Sequence, residues 1–286
     1  MKILGLVGSY RKLGNTEVLV KEALMEAQHM GADVDLMRLT DLKIEPCKGC
    51  MACIFKQEEC RIQDDWSKFR NKLLESDAVI LGAPTYLFGP AGIIKMIIDR
   101  NIAFFGGLSQ NMDKPGAVIG VSGIGGWDSF SLPMLNVFML TCGLKVVDQC
   151  MFYSQGPGEI LLNADAMKRA KMVGVNVFEA ACKPDEKRSY LGEVGLCPVC
   201  HQNLFQIRNG KLECALCQAK AKINIDRGQV NLVFDKDVLQ ENRWSEEALH
   251  RSFSLAILPS GQRFLEKKDE IRKRAEKYCD YLSKEA

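Results

Sequence analysis

"KILGLVGSYRKLGNTEVL" (residues 2–19) decides the fold of this 286-residue chain. A short aliphatic run, "KILGLVG" (2–8), passes through a loop of small and polar residues, "GSYRKLGNTEVL" (8–19), into a helical pattern. That order predicts a buried strand, a tight turn and a helix opening at "GNT", where Asn15 or Thr16 can satisfy free backbone N–H groups. The N–H groups of the helix start, the helix dipole, the Ser9 and Thr16 hydroxyls and the Arg11 charge would converge on one dianion. The spacing matches neither the Gly-Lys-Ser/Thr phosphate loop nor the Gly-x-Gly-x-x-Gly dinucleotide fingerprint. A loop that merely turns the chain is the alternative.

The same unit recurs along the chain. Strands are expected at 2–8, 33–39, 78–84, 115–122 and 144–153, and helices at 15–30, 65–76, 91–104, 130–142 and 163–182. This alternation predicts an α/β fold, a doubly wound five-stranded parallel sheet with helices on both faces. Ligands of such sheets bind at the carboxyl edge of the strands. Two further loops reach that edge, "APTYLFGPAGIIKMIIDR" (83–100) and "VSGIGGWDS" (121–129).

These three loops carry a resemblance. "GSxRxxGNT", "PTYxFGPxG" and a Gly-rich fourth-strand loop resemble the flavodoxin-like NAD(P)H-dependent FMN reductases over roughly residues 1 to 180. The resemblance implies that Ser9, Arg11, Gly14, Asn15 and Thr16 hold the FMN phosphate. It implies that Pro84, Thr85, Tyr86, Leu87, Phe88 and Gly89 border the isoalloxazine ring, with Ser122, Gly123, Gly125 and Gly126 along its other side. Tyr86 and Phe88 offer aromatic surface for that purpose, and the glycines let backbone N–H groups come close to flavin heteroatoms. Trp127 stands where many relatives carry glutamine. Turn glycines and core aromatics are the plainer reading.

"CKGCMACIFKQEEC" (47–60) places four cysteines at spacings of two, two and six intervening residues. Three thiolates within seven residues can wrap one face of an iron–sulfur cube, and a fourth downstream can cap the remaining iron. Cys47, Cys50, Cys53 and Cys60 are therefore candidate 4Fe-4S ligands; a zinc site and redox-active or structural thiols are the other readings. An FMN domain with this loop between its second and third strands resembles the iron–sulfur flavoproteins, whose pattern includes the following "DDW" (64–66). Lys48 and Lys56 could raise the cluster's potential or could simply be solvated.

A charged, proline-bearing stretch, "KPDEKRSY" (183–190), marks a boundary. The expected units are 1–185, the flavin domain with its cysteine loop; 191–236, a small β-rich domain; and 237–286, a C-terminal helical extension. "CPVC" (197–200) and "CALC" (214–217) flank a hairpin turn at Asn209-Gly210, the pattern of a zinc ribbon. Cys197, Cys200, Cys214 and Cys217 would close a structural Zn2+ site; an iron tetrathiolate of rubredoxin type is the rival. His201 and Gln218 follow the knuckles where rubredoxins favour glycine, which favours zinc. A second hairpin is expected around Asp226-Arg227-Gly228. From Ser260 the chain reads as a charged helix whose stripe of Phe264, Ile271, Ala275, Tyr278 and Leu282 suits packing, within the chain or between subunits.

With 38 basic and 36 acidic residues the formal charge is +2, so nothing global draws the protein to nucleic acid, which is not expected as a partner. No run of eighteen apolar residues and no signal-like N-terminus occurs, so a cytoplasmic protein without membrane contact is expected. Twelve cysteines in a reducing compartment suggest metal rather than disulfides. His29, His201 and His250 are too scattered for a nucleophilic triad, and no catalytic residue is assigned. The function expected is an FMN and 4Fe-4S oxidoreductase passing electrons between ferredoxin or NAD(P)H and an unidentified acceptor. The alternatives are a flavin-dependent reductase of a quinone, nitro compound or other metabolite, and a redox-sensing or partner-binding module using the ribbon. The resemblance implies a homodimer or homotetramer.

Overall fold

The computed structural model describes residues 1–56, 58–104, 114–192, 197–239 and 242–279. Five parallel strands form the main sheet: β1 (Lys2–Val7), β2 (Asp33–Arg38), β3 (Ala78–Tyr86), β5 (Pro115–Ser122) and β6 (Lys145–Tyr153). A two-residue strand, β4 (Gly89–Pro90), folds back antiparallel on the end of β3. The order is β2-β1-β3-β5-β6. This is the doubly wound order in which a ligand crevice opens between β1 and β3, where the winding reverses.

Both faces of the sheet are buried, so successive strand residues feed opposite cores. Leu4, Leu6, Val79, Leu81 and Val118 point toward α3 (Trp66–Glu75), α4 (Gly92–Arg100) and α5 (Ser131–Thr141). Ile3, Val7, Ile80, Ala117 and Ile119 meet α1 (Asn15–His29) and α6 (Ala164–Ala181). α1 and α6 approach so closely at Gly174 that a Cβ there would overlap the Ala23 carbonyl. Asp148 of β6 is wholly buried, where Arg169 grips both its oxygens and the Asn176 amide donates to it at 2.8 Å.

A second sheet, antiparallel and four-stranded, is built from β7 (Phe205–Arg208), β8 (Lys211–Cys214), β9 (Lys220–Asp226) and β10 (Gln229–Phe234). Its two hairpins turn on Asn209-Gly210 and Arg227-Gly228, all four with positive φ, the backbone of a two-residue turn that matches strand twist. The chain then runs through α7 (Glu246–Ser252) and a turn of π-helix (Phe253–Ile257) into α8 (Leu258–Cys279). Leu249 packs on the main core, and Gly261 lies so close to Phe55 that a Cβ would come within 2.7 Å of its ring. The extension thus returns across the cysteine loop, whose short helix α2 (Ala52–Phe55) carries that ring. Beyond that contact the stripe finds no cover among the described residues: Phe264, Ile271 and Tyr278 are exposed, and Leu282 lies outside them. Among the described residues, no helix is long and apolar enough to cross a membrane.

Replacing Gly174 with valine forces α6 away from α1 and is expected to cost about 1–3 kcal/mol. Urea denaturation of the purified protein measures the loss; an unchanged midpoint would show that the two helices do not meet as described.

Candidate functional site

The loop after β1 is held open from below rather than filled. Ser9 Oγ accepts the Arg11 N–H at 3.2 Å, and the Gly14 N–H closes on the Arg11 carbonyl at 3.4 Å. A Cβ on Gly14 would press on Arg11 at 3.0 Å. α1 then starts without a side-chain cap, leaving the N–H groups of its first turn to an anion. Thr16 is buried at this start and Arg11 is exposed beside it.

Beneath the loop lies a brace that the sequence pattern did not reveal. Arg38, at the end of β2, pairs with buried Glu17 and donates to the Ser9 carbonyl at 3.0 Å; Thr40 donates to the same carbonyl at 3.0 Å. Glu17 accepts the Leu13 N–H at 3.0 Å and the Lys21 ammonium at 2.7 Å. Burial works against the Glu17 carboxylate, but Lys21, the Leu13 N–H and Arg38 together hold its pKa below the ordinary range. Only the sequence position of Arg38, at the end of the second strand, could have pointed to this brace.

Three side chains expected on the ligand are engaged in folding the loops. The Asn15 amide donates to the Ser154 and Gly156 carbonyls at 3.3 and 2.9 Å and accepts the Ile160 N–H at 3.2 Å, tying α1 to the loop after β6. Thr85 shares a 2.7 Å hydrogen bond with Ser131, and Ser122 donates to the Ile124 carbonyl at 2.9 Å. In this structure these side chains hold the backbone of the carboxyl-edge loops in place.

The ring side of the site is aromatic and open. Leu87 and Phe88 take positive φ, a strained backbone kept where a loop must present a particular surface. Phe88 stacks on Trp127 at 5.0 Å, and the Phe130 N–H binds the Phe88 carbonyl at 2.8 Å, joining the β3–β4 and β5–α5 loops. Tyr86, Trp127 and Phe130 are each 51% exposed, so large apolar area is left uncovered around the glycines of 123–126. Tyr153 donates to Asp128 at 3.0 Å on the far rim.

Cys47, Cys50, Cys53 and Cys60 all line one small cavity of about 50 Å³ with Ala52, Arg61, Ile62 and Arg100. Left-handed Gly49 and Met51 curl the loop around it. Burial raises the Cys53 pKa first, and the charges of Cys60, Cys50 and Cys47 raise it further. A single tetrahedral ion with metal–sulfur bonds near 2.3 Å sets its sulfurs about 3.8 Å apart. Among the described residues, only the ribbon cysteines form a group with all ligand atoms within 4.8 Å of one another. The loop thiols share a cavity but are not drawn to the mutual distances of a single-ion site. Two buried donors beside them, Trp66 Nε1 and Arg100 Nε, have no hydrogen-bond partner among the described residues.

In the ribbon, Cys197, Cys200, Cys214 and Cys217 are buried, with sulfurs of Cys197 and Cys217 at 3.3 Å and of Cys200 and Cys214 at 3.4 Å. The two knuckles repeat one geometry: His201 N–H binds the Cys197 carbonyl at 2.8 Å, and Gln218 N–H binds that of Cys214 at 3.0 Å. His201 and Gln218 adopt φ of 56° and 62°. Both take the backbone that glycine favours, so their departure from glycine does not separate zinc from iron. The fully buried centre of this core is the four thiols with Ala219 and Val238, and Leu140, Val199, Phe205, Leu216, Phe234 and Trp244 pack around it partly buried. The first knuckle faces inward: Asn136 of α5 donates to the Cys200 carbonyl at 3.1 Å, Gln149 of β6 to that of His201 at 2.6 Å, and Tyr190 stacks on His201 at 3.6 Å.

A doubly wound sheet with an uncapped helix start, an aromatic wall and a thiol-lined cavity at one edge defines a flavin-dependent oxidoreductase. Comparison with known proteins agrees: the family model for NADPH-dependent FMN reductase matches residues 1–157. The chain belongs to that family, whose flavin is FMN. It is similar to an iron-sulfur flavoprotein of Methanocaldococcus jannaschii, 35% identical over 63% of this chain and 96% of the relative. It is also similar to a flavone synthase of Aspergillus candidus, 30% identical over 83% of each. A solved flavone reductase shares the fold over 100% of this chain and 99% of its own, with a TM-score of 0.79 and 24% identity.

Glu17→Gln should weaken FMN binding about tenfold, the value of one charge-assisted hydrogen bond. Because the carboxyl's pKa is depressed, the wild-type brace persists above about pH 4.3 and fails only as pH falls through the lower folded value. Flavin fluorescence titration reads both. Cys214→Ser should lower the melting temperature and, through Asn136 and Gln149, loosen α5. A calorimetric trace identical to wild type would show that the ribbon carries no load.

Proposed function

We propose that the protein couples a 4Fe-4S cluster at Cys47, Cys50, Cys53 and Cys60 to FMN at the carboxyl edge of the sheet, moving electrons between ferredoxin or NAD(P)H and an unidentified acceptor. The observation carrying this reading is the convergence of four loop thiols on one cavity at a spread too wide for a single ion. A cluster passes single electrons and FMN holds one or two, so together they join one-electron carriers to two-electron chemistry.

The chain's own residues bind and orient. The first turn of α1, with Ser9, Thr16 and Arg11, receives the phosphate, and the Arg38–Glu17 brace keeps that loop in shape. Phe88 and Trp127 offer a flat apolar wall on which a planar molecule can lie and from which water is displaced. This wall favours a second reading, reduction of an aromatic metabolite. The flavone synthase relative supports it, since it aligns over 83% of the chain, more than the doubly wound part contains.

The ribbon ion is zinc in this reading, a closed four-thiolate site that makes up for a small core. Its inward-facing first knuckle argues for a structural role over partner recruitment. The two separate sheets support units at 1–185 and 191–236, with 237–286 as an extension. The uncovered stripe of α8 supports assembly as a homodimer or homotetramer, and cysteines gathered in metal-site patterns rather than disulfides suit a cytoplasmic location.

Protein purified without oxygen should contain about four iron atoms and one zinc per chain, with flavin absorption bands over a broad iron–sulfur shoulder. Cys53→Ser should bleach the shoulder and retain the flavin. Zinc in both sites with no iron would overturn the electron-transfer reading.

A further inference from the structure

Arg100 closes α4 with its guanidinium only 2% exposed. Its Nη1 binds Asp64 at 2.5 Å and the Glu45 carbonyl at 2.9 Å, and its Nη2 binds Asp64 at 3.2 Å. The same Nη2 lies 3.4 Å from the Cys60 sulfur, within hydrogen-bond reach. The guanidinium carbon sits 5.5 Å from the centre of the Trp66 ring. Among the described residues, no other thiol of the 47–60 loop accepts a hydrogen bond from a side chain.

Asp64 has its own partners besides Arg100. It takes the Glu45 N–H at 2.8 Å and the Trp66 N–H at 3.1 Å. The carboxylate is thus a fixed cradle that turns the guanidinium plane toward the loop, and the arginine's charge is not wholly spent on it. Lys48, Lys56 and Arg61, the cations nearest in sequence, are exposed, where water screens them, and Arg61 is paired with Glu58. Arginine holds its proton in such a place, whereas lysine loses it readily on burial.

We propose that Arg100 sets the reduction potential of the cluster in the 47–60 loop, raising it by donating to the Cys60 sulfur with a buried positive charge. This rests on the 4Fe-4S reading of that loop. Reduction of a cluster adds one electron and hence one negative charge, with no bond made or broken. A fixed cation and a hydrogen bond to a ligand sulfur stabilise that added charge, and both are recognised determinants of cluster potential. Arg100 is thus a positioning and tuning residue. It connects the last turn of α4, which follows the flavin-edge loop, to the fourth cluster ligand.

The test is an anaerobic redox titration of the iron-loaded protein with dithionite and mediators, following the cluster by EPR and the flavin by absorbance. Arg100→Gln should retain its iron and lower the cluster midpoint by at least a factor of ten in the one-electron equilibrium constant, about 59 mV, with the flavin midpoint unmoved. Arg100→Lys should fall between the two. Asp64→Asn, which removes the opposing charge, should move the midpoint upward. A full iron complement with an unchanged midpoint in Arg100→Gln overturns the proposal. If that variant fails to hold iron, Asp64→Asn decides: an upward shift supports the proposal and no shift overturns it. Wild-type protein that takes up no iron would instead remove the cluster reading beneath it.

Discussion

A parallel sheet buried on both faces has no free surface on which to do chemistry. Its side chains are spent on the two helical layers, and its backbone is satisfied within the ladder, so ligands must be met at the carboxyl edge by loops. That constraint orders the molecule. It places the glycine and hydroxyl loop after β1, the cysteine loop after β2 and the aromatic loops after β3 and β5 along one rim. It also makes those loops carry two burdens at once, holding themselves in shape and facing a ligand.

The division of that labour was only partly legible in the sequence. Strand and helix positions followed from hydrophobic period and turn residues, and the observed strands lie within a residue or two of expectation. The exception is β4, two residues long, which carries no period to detect. The carboxyl-edge loops were found from glycine and hydroxyl content. What that content does not show is where each polar group is directed. Asn15, Thr85 and Ser122 have the chemistry of ligand contacts, yet their atoms bind neighbouring backbone and side chains. Conversely, Arg38 and Arg100 lie at the ends of an ordinary strand and an ordinary helix. Their partners are 21 and 36 residues away in the chain, and nothing in local spacing announces them.

The two cysteine sets show why spacing says more about one metal site than another. In the ribbon, paired knuckles around a hairpin bring the thiols to a distance that only a single ion suits, and the geometry adds little to the sequence reading. In the loop, spacing narrows the choice without deciding it, because a loop of small residues can close on an ion or open around a larger object. The width of the thiol ring bears on that choice, and width is a tertiary property. It is set by the left-handed turns at Gly49 and Met51 and by the anchorage of Cys60 to Arg100.

The C-terminal extension gives the rim a second support. Its ribbon grips α5 and β6 through Asn136 and Gln149, and α5 begins at Ser131, whose hydroxyl holds Thr85 of the flavin-edge loop. Farther on, Phe253 borders the cavity beside Cys53 and Cys60, and Gly261 admits the Phe55 ring from the cysteine loop. One continuous segment therefore bears on both candidate redox sites from opposite ends. Each contact is small, and the ribbon's fully buried apolar core is limited to the thiols, Ala219 and Val238 with partly buried side chains around them. Four thiolates closed on one metal would add stiffness that this packing does not supply, so a site remote from the flavin edge would help to fix the geometry there.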